Sequence, residues 1–203
     1  MFAKRILDLA ISIPLLILLI PLWVLIFIWI KADSPGPAVF CQSRVGVKGT
    51  IFTIYKFRTM VKNADLVMKE KIELLKKNGE FDPATFIFQE KDDPRITNSG
   101  RFLRKTSLDE LPQLLNIING TMSIVGPRPE VPEITEQYTQ EQCVRLDMPP
   151  GVTGLAQVNG RSELTLSQTL EYDIEYVKKW NFWLDIKILF KTVKVVFSGK
   201  AAY

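Results

Sequence analysis

Histidine is absent from all 203 residues. That excludes a serine–histidine–aspartate triad, an imidazole proton shuttle and any histidine-ligated metal. Catalysis in this chain must use carboxylates, lysine, arginine, tyrosine or hydroxyls. A metal site must be built from oxygen, which favours Mg²⁺ over Zn²⁺. Cysteine is nearly as scarce: Cys41 and Cys143 have no metal-binding spacing, and two free thiols in a reducing cytoplasm is the simplest reading. Internal repeats, low-complexity tracts, nucleic-acid modules and long basic runs are also missing, so no nucleic-acid partner is expected. Charge is missing from one long stretch: Leu9 to Ile30 carries no ionisable side chain and a single hydroxyl, Ser12.

What is present begins with that stretch. As a helix it would be about 33 Å long, enough to cross a hydrocarbon core of about 30 Å. Pro21 interrupts its middle and cannot donate to the carbonyl of Ile17, so a bend is expected there. Lys4 and Arg5 precede the stretch, and Lys31, Arg44 and Lys48 follow it. Two basic flanks conflict with a simple crossing under the positive-inside rule. A helix that enters, bends at Pro21 and returns satisfies both flanks; a bent spanning helix is the alternative. At the other end, Trp180, Phe182 and Trp183 open an apolar segment in which Lys187, Lys191 and Lys194 form a basic stripe. That pattern fits an amphipathic helix over 180–198 lying on an anionic membrane, or a helix packed on the core.

Between these ends, 38–42 and 51–57 read as two strands around a turn at 46–49. Ala64, Met68, Ile72 and Leu75 keep helical spacing. Further helices are expected around 100–105, 109–118 and 166–178. The fold class is therefore α+β, predominantly helical with a small β-hairpin. The division is a membrane helix over 1–33 and a catalytic domain over 34–203. The net charge of +4 suits phosphorylated or membrane partners.

The candidate chemistry centres on Arg104-Lys105-Thr106-Ser107-Leu108-Asp109-Glu110-Leu111-Pro112. Pro112 belongs in a first helical turn, which puts Asp109 and Glu110 at a helix N-terminus that favours negative charge. A capping box, Ser107-x-x-Glu110, is the purely structural alternative. Arg104 would offset repulsion between Asp109 and a phosphate, and a Mg²⁺ ion shared with the carboxylates would complete the neutralisation. Arg128, between Pro127 and Pro129, is presented on a restrained backbone and can bind phosphate bidentately. Lys56 and Arg58 add cations at a strand end. The glycine- and amide-rich stretch from Pro150 to Arg161, with Gln157, Asn159 and Arg161, suits close approach of a ligand to the backbone.

Taken together, four segments resemble the monotopic phosphoglycosyl transferase superfamily, the bacterial sugar transferases. They are Tyr55–Met60, Gly100–Gln113, Met122–Pro129 and Pro150–Arg161, with Glu171-Tyr172-Asp173 fitting as well. The resemblance covers nearly the whole chain in order. It implies a re-entrant membrane helix broken at proline and a domain on the cytoplasmic face of the bacterial inner membrane. It also implies an Asp109–Glu110 dyad that depends on Mg²⁺, with substrate contacts that include Asp173. The implied reaction moves a sugar-1-phosphate from a UDP-sugar to a polyprenyl phosphate through a covalent aspartyl phosphosugar, releasing UMP. One departure is Ile20, where family members often carry serine before the helix proline. Which sugar and which glycoconjugate are involved stays open, as does assembly into a homodimer.

Overall fold

The computed structural model describes residues 1–79, 93–160 and 164–197. Helix α1, Phe2–Asp33, is one uninterrupted helix that includes both Pro14 and Pro21, so the break expected at Pro21 does not divide it. The hairpin follows: β1, Val39–Val45, pairs antiparallel with β2, Ile51–Phe57, from Val39 opposite Phe57 to Val45 opposite Ile51. Then come α2 (Ala64–Lys77), α3 (Asn98–Thr106), a 3₁₀ turn (Leu108–Glu110), α4 (Gln113–Ile118) and strand β3 (Ser123–Val125). Short helices α5 (Pro132–Thr135) and α6 (Gln140–Cys143) lead to strand β4 (Gly151–Thr153), α7 (Leu155–Asn159), α8 (Leu166–Lys179) and α9 (Phe182–Phe197). The chain is thus mostly helical, as the sequence implies, with unexpected additions: the short helices α5, α6 and α7, and a second, parallel pair of β3 and β4.

The spacing of buried positions explains how α1 sits. Lys4, Asp8, Ser12, Ile26 and Ile30 are buried, while Leu15, Leu16, Leu19, Leu22 and Trp23 pack against the core from between them. These recur every three to four residues and form one face along the full helix. Ile26 and Ile30 share a cluster with Ala38, Phe57 and Leu103. Leu15, Leu16 and Leu19 meet a second cluster of Ile54, Leu114, Ile117 and Met122. The opposite face stays apolar and exposed through Ile13, Ile17, Leu18, Ile20, Val24, Leu25 and Ile28. Pro14 and Pro21 lie on that outer face. There a missing N–H lets a helix curve around its core without interrupting it.

Helix α9 divides in the same way. Its inner side places Ile188 in a cluster with Val125, Met148 and Tyr176. Its outer side exposes Trp183, Phe190 and Val193 beside Lys187, Lys191 and Lys194. Both cysteines are free and exposed.

Candidate active site

Four separate segments converge on the Asp109–Glu110 turn. Ser107 ends α3 in the left-handed conformation, φ 56°, with its N–H donating to the carbonyls of Leu103 and Arg104. This reverses the chain, so that Leu108–Glu110 emerges as a 3₁₀ turn between α3 and α4. The capping box therefore does not form: Ser107 makes no side-chain cap bond there, and Glu110 turns to cations instead. Helix α4 starts only at Gln113, after Pro112, which places the dyad in the preceding turn. Asn116, fully buried, ties α4 to β2; its Oδ1 accepts from Tyr55 N at 3.0 Å and its Nδ2 donates to the Thr53 carbonyl at 2.7 Å.

Lys56, at the end of β2, donates to Glu110 Oε1 at 2.9 Å. Arg128 reaches the same oxygen at 3.3 Å from the loop after β3. Arg104, in the last turn of α3, donates through Nε to Thr59 Oγ1 at 3.0 Å. Gly100 permits this approach, because a Cβ there would lie 2.0 Å from the Thr59 carbonyl oxygen. Asp109 is pushed up to about 6, first by burial and then by the adjacent Glu110 charge, while Lys56, Arg104 and Arg128 pull it back down. It is thus a partly desolvated carboxylate held near ionisation by three cations.

Other residues singled out in the sequence are placed differently. Arg58 is buried and donates to the Ser34 carbonyl and Oγ and to the Pro35 carbonyl, so it braces the exit from α1 and does not face the dyad. Asp173, fully buried, is paired with Arg145. Arg145 also donates to Tyr138 Oη and, at 2.7 Å, to the Arg128 carbonyl. Asp173 therefore supports the Arg128 loop from behind and has no surface to offer a ligand. Asn159 is exposed and donates to the Leu155 carbonyl at 2.8 Å. Gln157 is buried beside Gly154. Arg161 lies outside the described residues. The glycines of this stretch serve the backbone itself: a Cβ on Gly154 would lie 2.2 Å from the Gly126 carbonyl oxygen, and Gly126 N donates to the Thr153 carbonyl at 2.8 Å. They allow β3 and β4 to lie side by side where the Arg128 loop begins.

Thr59, Asn116 and Arg145 were not foreseen. Thr59 lies within a segment that drew attention for its basic residues. Asn116 and Arg145 carry no local signal, since their partners lie far away along the chain.

Asp109 and Glu110 are the carboxylates here that could hold a hard divalent ion. The Glu110 charge raises the Asp109 pKa, a repulsion such an ion would relieve, although Glu110 Oε1 already accepts from Lys56 and Arg128. Among the described residues there is no cluster of three or more acidic or thiol side chains. This donor set suits Mg²⁺, which takes one or two carboxylates and completes its shell with water and substrate phosphate.

Comparison with known proteins bears on this arrangement. The chain is 46% identical over its whole length to "Undecaprenyl-phosphate galactose phosphotransferase" of Salmonella typhimurium, covering 42% of that protein. It is 40% identical over 98% of its length to "UDP-glucose:undecaprenyl-phosphate glucose-1-phosphate transferase" of Escherichia coli, covering 41% of it. It is also 40% identical over 99% of its length to "Exopolysaccharide production protein ExoY" of Sinorhizobium fredii, covering 88% of that protein. The chain thus spans about two fifths of the length of the first two relatives. The family described as "Bacterial sugar transferase" matches residues 1–199, and the chain belongs to that family.

Proposed function

We propose that this chain is a phosphoglycosyl transferase that moves a sugar-1-phosphate from a UDP-sugar to undecaprenyl phosphate. The observation that carries the reading is the Asp109–Glu110 turn with Lys56, Arg104 and Arg128 around it. A phosphoryl transfer needs little covalent chemistry from the protein beyond a nucleophile, positioning and cationic stabilisation, and this cluster supplies all three. Relatives named as an undecaprenyl-phosphate galactose phosphotransferase and a UDP-glucose:undecaprenyl-phosphate glucose-1-phosphate transferase support the substrate class.

An Asp109 carboxylate oxygen attacks the sugar-bearing phosphorus of the donor. The bond from that phosphorus to the bridging oxygen breaks, and UMP leaves with the electron pair. An oxygen of undecaprenyl phosphate then attacks the same phosphorus. The Asp109–phosphorus bond breaks, giving the polyprenyl diphosphate sugar and restoring the carboxylate. Lys56 and Arg128 pair with Glu110 Oε1 and face the incoming phosphates; Arg104 offsets the repulsion between Asp109 and the donor. Mg²⁺ held by Asp109 and Glu110 would neutralise the diphosphate.

The contacts of α1 support a monotopic placement. Lys4, near its start, pairs with Asp185, and Asp33, at its end, accepts from Ser99. A helix crossing the bilayer would carry one of these ends away from the domain by about 30 Å. With both ends docked, the exposed apolar face of α1 and the tryptophan- and lysine-bearing face of α9 turn toward lipid, and the domain lies on the cytoplasmic side of the inner membrane. Cysteines replacing Phe2 and Lys31, in a protein lacking Cys41 and Cys143, should both be protected from an impermeant thiol reagent in intact spheroplasts. Labelling of one alone would show a crossing.

The activity is tested by incubating purified protein with undecaprenyl phosphate, Mg²⁺ and UDP-galactose or UDP-glucose. UMP together with a diphosphate-linked lipid sugar is expected. Release of UDP would mean glycosyl transfer, and no nucleotide release from any donor would leave a non-catalytic anion-binding scaffold.

A further inference from the structure

The polar contacts of α1 and of Ser34 just after it cluster at the two ends of the helix, and most reach segments that lead into the candidate site. At the far end, Asp33 Oδ2 accepts from Ser99 N and Oγ, both at 2.8 Å, at the start of the helix bearing Arg104. The Ser34 carbonyl accepts from Arg58 at 2.8 Å, two residues beyond Lys56. At the near end, Arg5 donates to the Ile117 and Ile118 carbonyls that close α4, the helix following the dyad.

The contacts with β3 are the most directed. Asp8 Oδ1 accepts from Ser123 Oγ and from Ile124 N, both at 2.9 Å. Lys4 Nζ donates to the Val125 carbonyl at 2.6 Å, to Tyr176 Oη at 3.1 Å and to Asp185 Oδ2 at 2.8 Å. An ammonium has three N–H groups, and here each has an acceptor, so this buried cation is held in one geometry. Strand β3 has only three residues and pairs with β4. Lys4 and Asp8 therefore bond the backbone of its last two residues, immediately before Gly126 and two positions before the restrained Pro127-Arg128-Pro129 turn.

We infer that Lys4 and Asp8 are positioning residues for Arg128: by gripping β3, the first turns of the membrane helix set this arginine against Glu110, so the phosphate-facing cation is in place only while α1 is docked. The inference rests on the transferase reading for its functional consequence, and on the α1–β3 contacts alone for its structural part. A role confined to anchoring would make Lys4 and Asp8 matter equally whether or not Arg128 is present; a positioning role would not.

The test uses the full chain in lipid nanodiscs. Lys4→Met is combined with Asp185→Asn, so that no buried charge is stranded. Asp8→Asn, which keeps shape and an acceptor oxygen, is the milder second variant and decides the matter if the pair fails to fold. Each is made in the parent and in Arg128→Ala. For UMP release, the pair should lower kcat/KM roughly tenfold in the parent, mostly through KM, and less than about twofold in Arg128→Ala; Asp8→Asn should repeat the pattern at about threefold. Equal losses in both backgrounds would overturn the inference. Amide exchange gives a readout independent of turnover: protection should fall across 123–130 while β1 and β2 stay protected. Unchanged protection, or an even loss everywhere, would overturn the grip on β3. A parent that exchanges as expected but releases no UMP would defeat the transferase reading and leave the structural inference standing.

Discussion

Two clusters of basic and acidic side chains share the loop from Gly126 to Glu130, and they differ in almost nothing but burial. In one, Glu110 meets Lys56 and Arg128, and the Arg128 side chain is 41% exposed. In the other, Arg145 meets Asp173, with both side chains 1% exposed. Arg145 spends its guanidinium on a carboxylate, a phenol and the Arg128 carbonyl, all within the protein. Such a pair braces the loop. The open cluster keeps an arginine at the surface and a half-buried carboxylate beside it, which an incoming phosphate can reach. Residue type alone does not separate a brace from a reacting group; access and the destination of each hydrogen bond do.

The sharpest separation of the two clusters should come from Asp109→Asn. An amide cannot serve as the nucleophile, and turnover should fall at least about a thousandfold, with a melting temperature close to the parent's. Near-normal UMP release would remove Asp109 from the chemistry. The closed cluster should respond in the opposite sense. Arg145→Met strands Asp173 as a buried charge, a loss of about 3–5 kcal/mol, and calorimetry should show a melting temperature lower by roughly 10 °C. Arg145→Met with Asp173→Leu should recover much of it. An unshifted melt of the single variant would mean that this pair is not the brace described.

Smaller effects should come from the open cations. Arg104→Ala and Arg128→Ala should each cost about 1.5–3 kcal/mol in kcat/KM, or ten- to a hundredfold, with little change in melting. Kinetics like the parent's would assign that arginine to structure. The smallest effect is a shift in pH dependence. Without a bound metal Asp109 is pushed up to about 6, and it reacts as the anion, so kcat/KM measured at sub-saturating Mg²⁺ should rise with pH through that value and level off above it. Arg104→Ala removes a cation that favours the anion, so the midpoint should move upward. A profile flat from pH 5 to 7 would contradict the role of this carboxylate.

Much of this architecture is legible in the chain. The helical spacing of Ala64, Met68, Ile72 and Leu75 marks α2, the helix expected over 166–178 is α8, and the two strands expected around the turn at 46–49 form the hairpin. The dyad, Lys56, Arg104 and Arg128 do gather. The misplacements have specific causes. Lys56 and Arg58 are two apart, so a strand reading puts them on one face; β2 ends at Phe57, and Arg58 turns back to the end of α1. Ser107 and Glu110 have capping-box spacing, yet Ser107 closes the preceding helix in a left-handed conformation. Strands β3 and β4 are three residues each, too short to show a period.

The sequence by itself determined that any chemistry falls to carboxylates, lysine, arginine, tyrosine or hydroxyls, since histidine is absent, and that no thiol pair is spaced for metal. It also determined that a long apolar helix begins the chain and that Asp109 and Glu110 follow a basic turn, because these depend on composition and on neighbours a few positions away. Tertiary structure alone decided which charges meet. Lys56 reaches Glu110 across 54 positions, Arg145 reaches Asp173 across 28, and Lys4 reaches Asp185 across 181. No local propensity encodes such pairings. They are set by which faces the apolar clusters bring together, and burial then turns one ion pair into a brace and leaves another exposed.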